Sequence, residues 1–598
     1  MLKSERFTSR GNELGSAIQY SFLMNSWKNI RSDLRQYPYR DLHDYYDFHV
    51  HKRNKIQALV EQILDGRYQP SFPIRLRAEK SKGLARHIIV PCPEDSLVLE
   101  VVCQALIKRI VLPETKSFFS RKHGGAPSIE NVDPKDTHYF WWELWPEFQR
   151  KIFGFVSENS YVVVTDVANY YDGIDFVKLR NYISGLSNIP EPILDFIFFV
   201  IEKFTWRPDY LPYSGRGLPQ MDMDAPRFLA HVFLLEIDTY LQRTVGNNYV
   251  RWMDDIDFGC DSKTEAKEIL RTIDEILLTN GLHLNSSKTK ILTKLEAKNH
   301  FNIEENWFLN VFTKRLDRLI HSKLPYEREI KQLTERYLKF YNGNRTGSWE
   351  KVIKRYFSLA TKANTQSLDY DLNIILEDIP SCRKNVCQYL KRTGWTFERE
   401  QLVKSFVLNC VDDISVFYGV RILLEWRSSF MFSYSRRMVT LAENLFEKHG
   451  TETAFINALW LQGKYASSKE LSSFIQKTYL FWSRKDYLAR QVVATFPRLN
   501  KKVRASVKGI IRSFGLLSAQ SVLSNFEFIA DKGQFKTVFP YVKQANKDGH
   551  YPLWKAFIAL SLFEGTYTLT QKTYVLNELI SLTKNDIISF WFKKINLS

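Results

Sequence analysis

The chain has 598 residues, of which 44% are apolar and 14% aromatic, with only 25 glycines and 20 prolines. This excludes a disordered or linker-rich chain and predicts a densely packed, mostly helical protein of two to four domains. Its 84 Lys and Arg against 66 Asp and Glu give a formal charge of +18, spread along the chain, which points to a polyanion and above all to nucleic acid.

Residues 1–68 read as an N-terminal helical and basic extension. Within it, RQYPYRDLHDYYDFHVHKRNK (35–55) suits either a helix or a nucleic-acid-facing loop. The opening MLKSERFTSRGNELG has no signal-peptide core, and ILDFIFFVIEKF (193–204) is too short and too charged to cross a bilayer. Six widely spaced cysteines, with no CxxC pair, read as reduced thiols. A cytoplasmic protein without a membrane partner is expected.

From 69 to 310 the texture changes to α+β. Short β-rich runs, HIIVP (87–91), SYVVVTDV (160–167), NYVRWM (248–253) and DIDFGC (255–260), alternate with amphipathic helical patterns. From 311 to 598 helical periodicity runs on alone, as in QLVKSFVLNCV (401–411), VVATFPRLNKKVRASVKGIIRSF (492–514) and VLNELISLTKNDIISFWFKKI (575–595). LEDIPSCRKNVCQYLKR (376–392) and VATFPRLNKKVRASVKGIIR (493–512) share a proline that begins a helix, a basic pair and an apolar stripe. That pattern suits HEAT-like stacked helical pairs, with an ordinary bundle as the alternative.

One stretch is chemically conspicuous: YVRWMDDIDFGCDS (249–262) puts adjacent aspartates between two strand-like runs. Like charges there repel, and carboxylates at a strand end are costly without a cation or donors. The pattern predicts a hairpin with Met253, Asp254 and Asp255 at its turn. A second acidic strand end lies upstream, where Val162 to Thr165 stop at Asp166. Carboxylates meeting at adjacent strand ends can hold a pair of Mg²⁺ ions roughly 3.5–4 Å apart and clamp the oxygens of phosphoryl transfer. Taken singly, each aspartate is as readily a turn residue or a cap.

VTDVANYYD (164–172), GLPQMDMDAPRFLAHVFLLEID (217–238), YVRWMDDIDFG (249–259) and GLHLNSSKTKIL (281–292) resemble the successive palm motifs of reverse transcriptases, in that family's order and spacing. KSKGLARHIIVPCPEDSLVLEVVCQAL (80–106) resembles its finger strands. The resemblance implies a right-hand polymerase palm and fingers acting on dNTPs with two Mg²⁺ ions, or Mn²⁺ in their place. Asp166, Asp254 and Asp255 would hold the metals, with Val167 in the same set. Lys288 would act near the leaving pyrophosphate. Lys80 and Arg86 match the finger positions that hold the triphosphate, Tyr171 the aromatic gate that rejects a 2′-hydroxyl, and Gln220 the lining of the incoming base. Gly217, Pro219, Trp252 and Met253 fall where template and primer run. Asp172, Asp175 and Asp257 read as turn and rim residues.

The chain departs from the family pattern at Trp252, where a tyrosine is usual, at Met221, where a glycine is usual, and at Ala225-Pro226. These changes imply a bulkier primer floor and template wall. The helical C-terminal half has no integrase, ribonuclease H or maturase signature. That combination resembles the bacterial abortive-infection and defence-associated reverse transcriptases. It implies an antiphage role, with a partner non-coding RNA as template or no template at all. A protein side chain is a further candidate primer, the tyrosines of 36–48 among those available, although core packing explains any one of them better. A partner protein and a homo-oligomer are open. The alternatives are a retron-like or retroelement enzyme copying a cognate RNA, and a non-catalytic nucleic-acid-binding scaffold with a degenerate polymerase fold.

Overall fold

The computed structural model describes residues 5–110, 117–118, 141–205, 215–426, 431–545, 550–584 and 586–595. Its strands arise where β-branched and aromatic residues cluster. β1 (Ile74–Ser81) and β2 (Leu84–Val90) form a separate antiparallel hairpin with a bulge between Glu79 and Ser81. β3 (Ser117–Phe118), β4 (Tyr161–Asp166), β5 (Tyr249–Trp252), β6 (Asp255–Cys260) and β7 (Lys290–Thr293) form a five-stranded sheet in the order β3-β5-β6-β4-β7. β3 runs parallel to β5, and the other pairings are antiparallel. Alternation along the strands gives the sheet two apolar faces. On one face Val163, Tyr249, Ile256 and Phe258 join the main core. On the other Val162 and Val250 pack on Leu144, Phe148 and Ile152 of the helix Trp141–Glu158.

Beyond residue 300 the described residues are helical apart from short turns. The helices Trp349–Ala363, Arg383–Thr393, Asp413–Glu425, Glu452–Tyr465, Asp486–Ala494, Leu517–Ala530 and Leu553–Phe563 pack each on the next. Flanking helices such as Phe397–Asn409 and Met431–His449 lie between them in sequence, so the array is built of stacked helical pairs. The α+β region followed by an all-α region is as the periodicity predicts. The helix starts differ. Pro380 and Pro497 sit in 3₁₀ turns, Pro380–Cys382 and Phe496–Arg498, and the α-helices begin only at Arg383 and Lys501. Asn500 caps the second by accepting from the Val503 N–H at 2.9 Å. The run 575–595 likewise divides into Leu569–Leu582 and Ile587–Lys593, because Asp586 caps a new helix.

The N-terminal helices Tyr20–Leu34 and Tyr46–Leu64 pack on each other and on Pro93–Ile107. The segment joining them is not a nucleic-acid-facing loop, since Tyr37, Tyr39, Leu42 and Tyr46 are buried. Its carboxylates are matched from both sides. Arg490 of the helical array bonds Asp41 at 2.6 Å and Asp47 at 2.7 Å, while Arg31 and Arg35 hold Asp44. The tyrosine hydroxyls are engaged too: Tyr37 accepts from the Asp222 N–H and Tyr39 from Gln491 Nε2, both at 2.8 Å. Core packing accounts for this tyrosine-rich stretch.

The array also grips the β1–β2 hairpin. Asp413 accepts from the Arg77 N–H at 2.7 Å, and buried Arg383 bridges Glu79 and Asp412, each at 2.6 Å. All six cysteines are free thiols. Among the described residues, no helix is long and apolar enough to cross a membrane.

Candidate active site

β4 ends on Asp166 and β6 begins on Asp255, and these two residues are direct partners across the antiparallel pair. Asp255 also faces Trp252 of β5, so it is a strand residue and not part of the turn. The turn is Met253 and Asp254 alone, because Met253 takes a left-handed φ of 57° that lets the chain reverse in two residues. That conformation is strained for a residue with a Cβ, and Arg251 holds it by donating to the Met253 carbonyl at 2.8 Å. Arg251 is wholly buried, pairs with equally buried Asp238 of the helix Leu235–Thr244, and donates to the His231 carbonyl at 3.2 Å. Burial works against its charge, and Asp238 outweighs that.

A second set of backbone bonds fixes Asp166. Its carbonyl accepts from the Asn285 N–H at 2.8 Å, the Val167 N–H donates to the Asp254 carbonyl at 3.3 Å, and the Ala168 N–H donates to the His283 carbonyl at 2.9 Å. The 281–292 segment thereby brings Lys288 onto Asp166, with which it forms an ion pair. The other carboxylate oxygen, Asp166 Oδ1, is buried with no partner. Burial and the neighbouring Asp255 push Asp254 up to about 6, with Asp166 adding to the rise. Surrounding protein and Asp166 also raise Asp255, opposed by Lys351 and Lys288.

Asp257 is a buried mid-strand residue of β6 and not a rim residue, because it lies on the same strand face as Asp255. Burial and Asp255 push it up to about 8. Asp175 does act as a turn residue, capping Phe176–Leu186. Lys351, on the helix Trp349–Ala363, sits 5.3 Å above the Trp145 ring and lends its charge to Asp255 and Asp257. The sequence offers no signal for Lys351, which lies 96 residues beyond Asp255 among many lysines.

On the finger side, Tyr171 is half-buried in the single turn Tyr170–Gly173. Burial pushes its hydroxyl up to about 12, against the pull of Arg227 and Arg86, with Asp254 adding to the rise. Arg86 of β2, Tyr171 and Asp254 therefore lie within electrostatic reach of one another. The loop of Gly217, Pro219 and Gln220 is tied into the same corner. Gly217 has φ +92°, the Leu218 N–H donates to the Tyr171 carbonyl at 2.8 Å, and the Gln220 carbonyl accepts from the Ile89 N–H of β2 at 2.8 Å. Lys80 stays exposed at the bulge of β1.

Residues 95–338 match the family model of reverse transcriptases, the RNA-dependent DNA polymerases. The chain carries a reverse transcriptase domain. It is thus an RNA-directed DNA polymerase, a nucleotidyltransferase. The match begins after the β1–β2 hairpin and ends within the helix Glu327–Tyr341. No curated protein matches the chain. Two solved structures are similar to it at a low level. Apo telomerase from Candida tropicalis has 12% identity over 73% of this chain and 72% of that one, with a TM-score of 0.26. Telomerase from Candida albicans in complex with a TWJ fragment of telomeric RNA has 9% identity over 63% and 62%, with a TM-score of 0.23. Nothing further is drawn from these two.

Within the reverse transcriptase domain, Trp252 turns its indole onto the helix beneath, edge-on to Trp145 at 5.8 Å and to Phe148 at 5.5 Å. Met221 is buried in the main core, so the bulk there fills the interior and not a wall open to the template. Among the described residues, no three acidic, histidine or cysteine side chains are gathered around one point as a ready cation site. The donor set nonetheless fits a divalent cation. It offers hard oxygen ligands, one of them the orphaned Asp166 Oδ1, and carboxylates whose mutual repulsion raises Asp254. Lys288 meets part of that need at Asp166.

Proposed function

We propose that this polymerase synthesises DNA from dNTPs at Asp166, Asp254 and Asp255, and that it does so in a bacterial antiphage defence system, on a partner non-coding RNA or without a nucleic-acid template. The observation that carries the chemistry is the cross-strand pair of Asp166 and Asp255 with Asp254 in the turn between β5 and β6. These three carboxylates would hold Mg²⁺, or Mn²⁺, beside Val167. When bound there, the metal supplies Lewis-acid activation and neutralises charge on the transferring phosphoryl group.

The chain's own residues do the remaining work. Arg86, with Lys80 extending the cationic finger edge, binds the triphosphate. Tyr171 packs under the sugar and excludes a 2′-hydroxyl. The Gln220 loop, with Gly217 and Pro219, positions the incoming base against the fingers. Lys288 carries a proton close to Asp166 and is held charged by it: burial opposes its charge, and Asp166 more than compensates. Trp252 and Met253 form the floor beneath the primer end. Rate enhancement comes from positioning and electrostatics without a covalent intermediate.

The defence role is supported by the long helical array that follows the polymerase domain and grips its finger hairpin through Arg77 and Arg383. The test is plating efficiency of phages on bacteria expressing the native chain or Asp254→Asn. Protection by the native chain alone supports the proposal, and equal protection by both contradicts it.

A further inference from the structure

A partly enclosed cavity of about 530 Å³ lies where the N-terminal segment meets the helical array. Its walls include Arg40, Arg421, Trp460, Lys464, Tyr551 and Trp554, none of which belongs to the palm site. A space of this size, apolar with a few polar groups, is of the kind that holds small ligands.

The charges on its walls do not cancel. Lys464 is already committed to the Leu424 carbonyl and to Asp586, the latter at 3.2 Å. Arg421 approaches Glu425 at 4.0 Å, and Glu425 is shared with Lys391. Arg40 makes no hydrogen bond or ion pair to any described residue. Its Nε is buried without a partner, and its guanidinium lies 5.7 Å from the Trp554 ring centre. A second donor on the same walls is also orphaned: Trp460 is 2% exposed, and its indole Nε1 has no partner.

An unmatched guanidinium and an unmatched indole N–H are each costly to bury, and folding retains both at one cavity. A group with several acceptor oxygens and negative charge satisfies both at once, and the planar guanidinium is well suited to phosphate. Arg421 adds a second cation nearby and further disfavours Arg40 when no anion is present.

We propose that this cavity binds a phosphate-bearing ligand, with the phosphate oxygens accepting from Arg40 and from the Trp460 indole, Arg421 completing the charge, and Trp554 flanking the group that carries the phosphate. The shared chemistry is a phosphate monoester, either of a free nucleotide or of a nucleic-acid 5′ end. The site is independent of the polymerase reading.

The full chain is titrated in EDTA, so that metal-dependent nucleotide binding at the palm is silent, with inorganic phosphate, dAMP, a 5′-phosphorylated decanucleotide and its 5′-hydroxyl twin. Binding is followed by calorimetry and by the shift in melting temperature. The native chain is expected to bind at least one phosphomonoester probe, and the phosphorylated decanucleotide more tightly than its twin. Arg40→Met should weaken that binding at least tenfold while melting, without ligand, no lower than the native chain. Trp460→Phe keeps the ring that packs on Phe417 at 5.2 Å and removes only the donor, so it decides the matter if Arg40→Met fails to fold. Tight binding of dAMP assigns the site to free nucleotides, and binding of the phosphorylated decanucleotide alone assigns it to nucleic-acid ends. No binding of any phosphomonoester probe, or native affinity in the variant that folds, overturns the proposal.

Discussion

Arg251 and Asp238 form an ion pair in which neither side chain is exposed, and the same guanidinium holds the Met253 carbonyl at 2.8 Å. The turn carrying Asp254 is thus anchored from within the core, through a charge that could not be left unpaired.

Arg251→Lys keeps the charge but loses the forked geometry that reaches Asp238, Met253 and His231 together. Breaking a buried pair of this kind costs about 3–5 kcal/mol. The expected outcome is a markedly lower melting temperature, with dNTP incorporation reduced even at temperatures where the variant remains folded. Asp238→Asn should show the same pattern, and native stability in both would refute the anchoring role.

Lys288 is largely exposed apart from its contact with Asp166, so its replacement should spare the fold. Lys288→Met is expected to lower incorporation about 10²-fold or more, as expected where a positioned proton donor or cation assists the reaction. Lys288→Arg should recover part of that loss. An unchanged melting temperature distinguishes this effect from unfolding.

The helical array is part of the polymerase's own core. Arg490→Met leaves Asp41 and Asp47 buried without their cation, and a loss of about 3–5 kcal/mol is expected. Burial alone would push Asp47 up, and Arg490 and Lys55 instead bring it well below the usual carboxylate range. Chemical denaturation of the full chain measures the loss.

His49 accepts a hydrogen bond from Trp27 Nε1 at 3.1 Å, and burial together with Arg31 and Lys52 pushes it down to about 3. Its folded value lies below the ordinary 6.5, so the unfolded chain takes up a proton first as the pH falls. Stability is therefore full above pH 6.5 and is lost on acidification from about 6.5 towards 3, by up to about 1.4 kcal/mol per pH unit. His49→Asn, which keeps an acceptor but does not titrate, should flatten the dependence of melting temperature between pH 7 and 5. An identical slope in both proteins would refute this assignment.

Strands β2, β4, β5 and β6 were legible in the sequence because each is a short β-branched or aromatic run bounded by turn or charged residues. The three carboxylates were legible because acids at strand ends stand out against such runs. Arg251 and Asp238 were not, since a charged residue inside a strand or helix reads as a solvated face until packing shows it to be buried. The 35–55 stretch misled for the same reason: its acids resemble an exposed loop, and their partner Arg490 lies more than 400 residues away. Lys351 reaches Asp255 and Asp257 only through the placement of the helix Trp349–Ala363, which no local pattern encodes.

The most direct test is incorporation of labelled dNTPs by the purified native chain and by an Asp254→Ala, Asp255→Ala variant, with Mg²⁺ and without added template or primer, before and after ribonuclease treatment. If nothing is incorporated under those conditions, the assay is repeated with an RNA template and a DNA primer. The account predicts DNA synthesis by the native chain alone: its loss after ribonuclease marks a bound RNA as template, and its persistence marks untemplated synthesis. No incorporation by the native chain even with template and primer supplied, or equal incorporation by the variant, would contradict it.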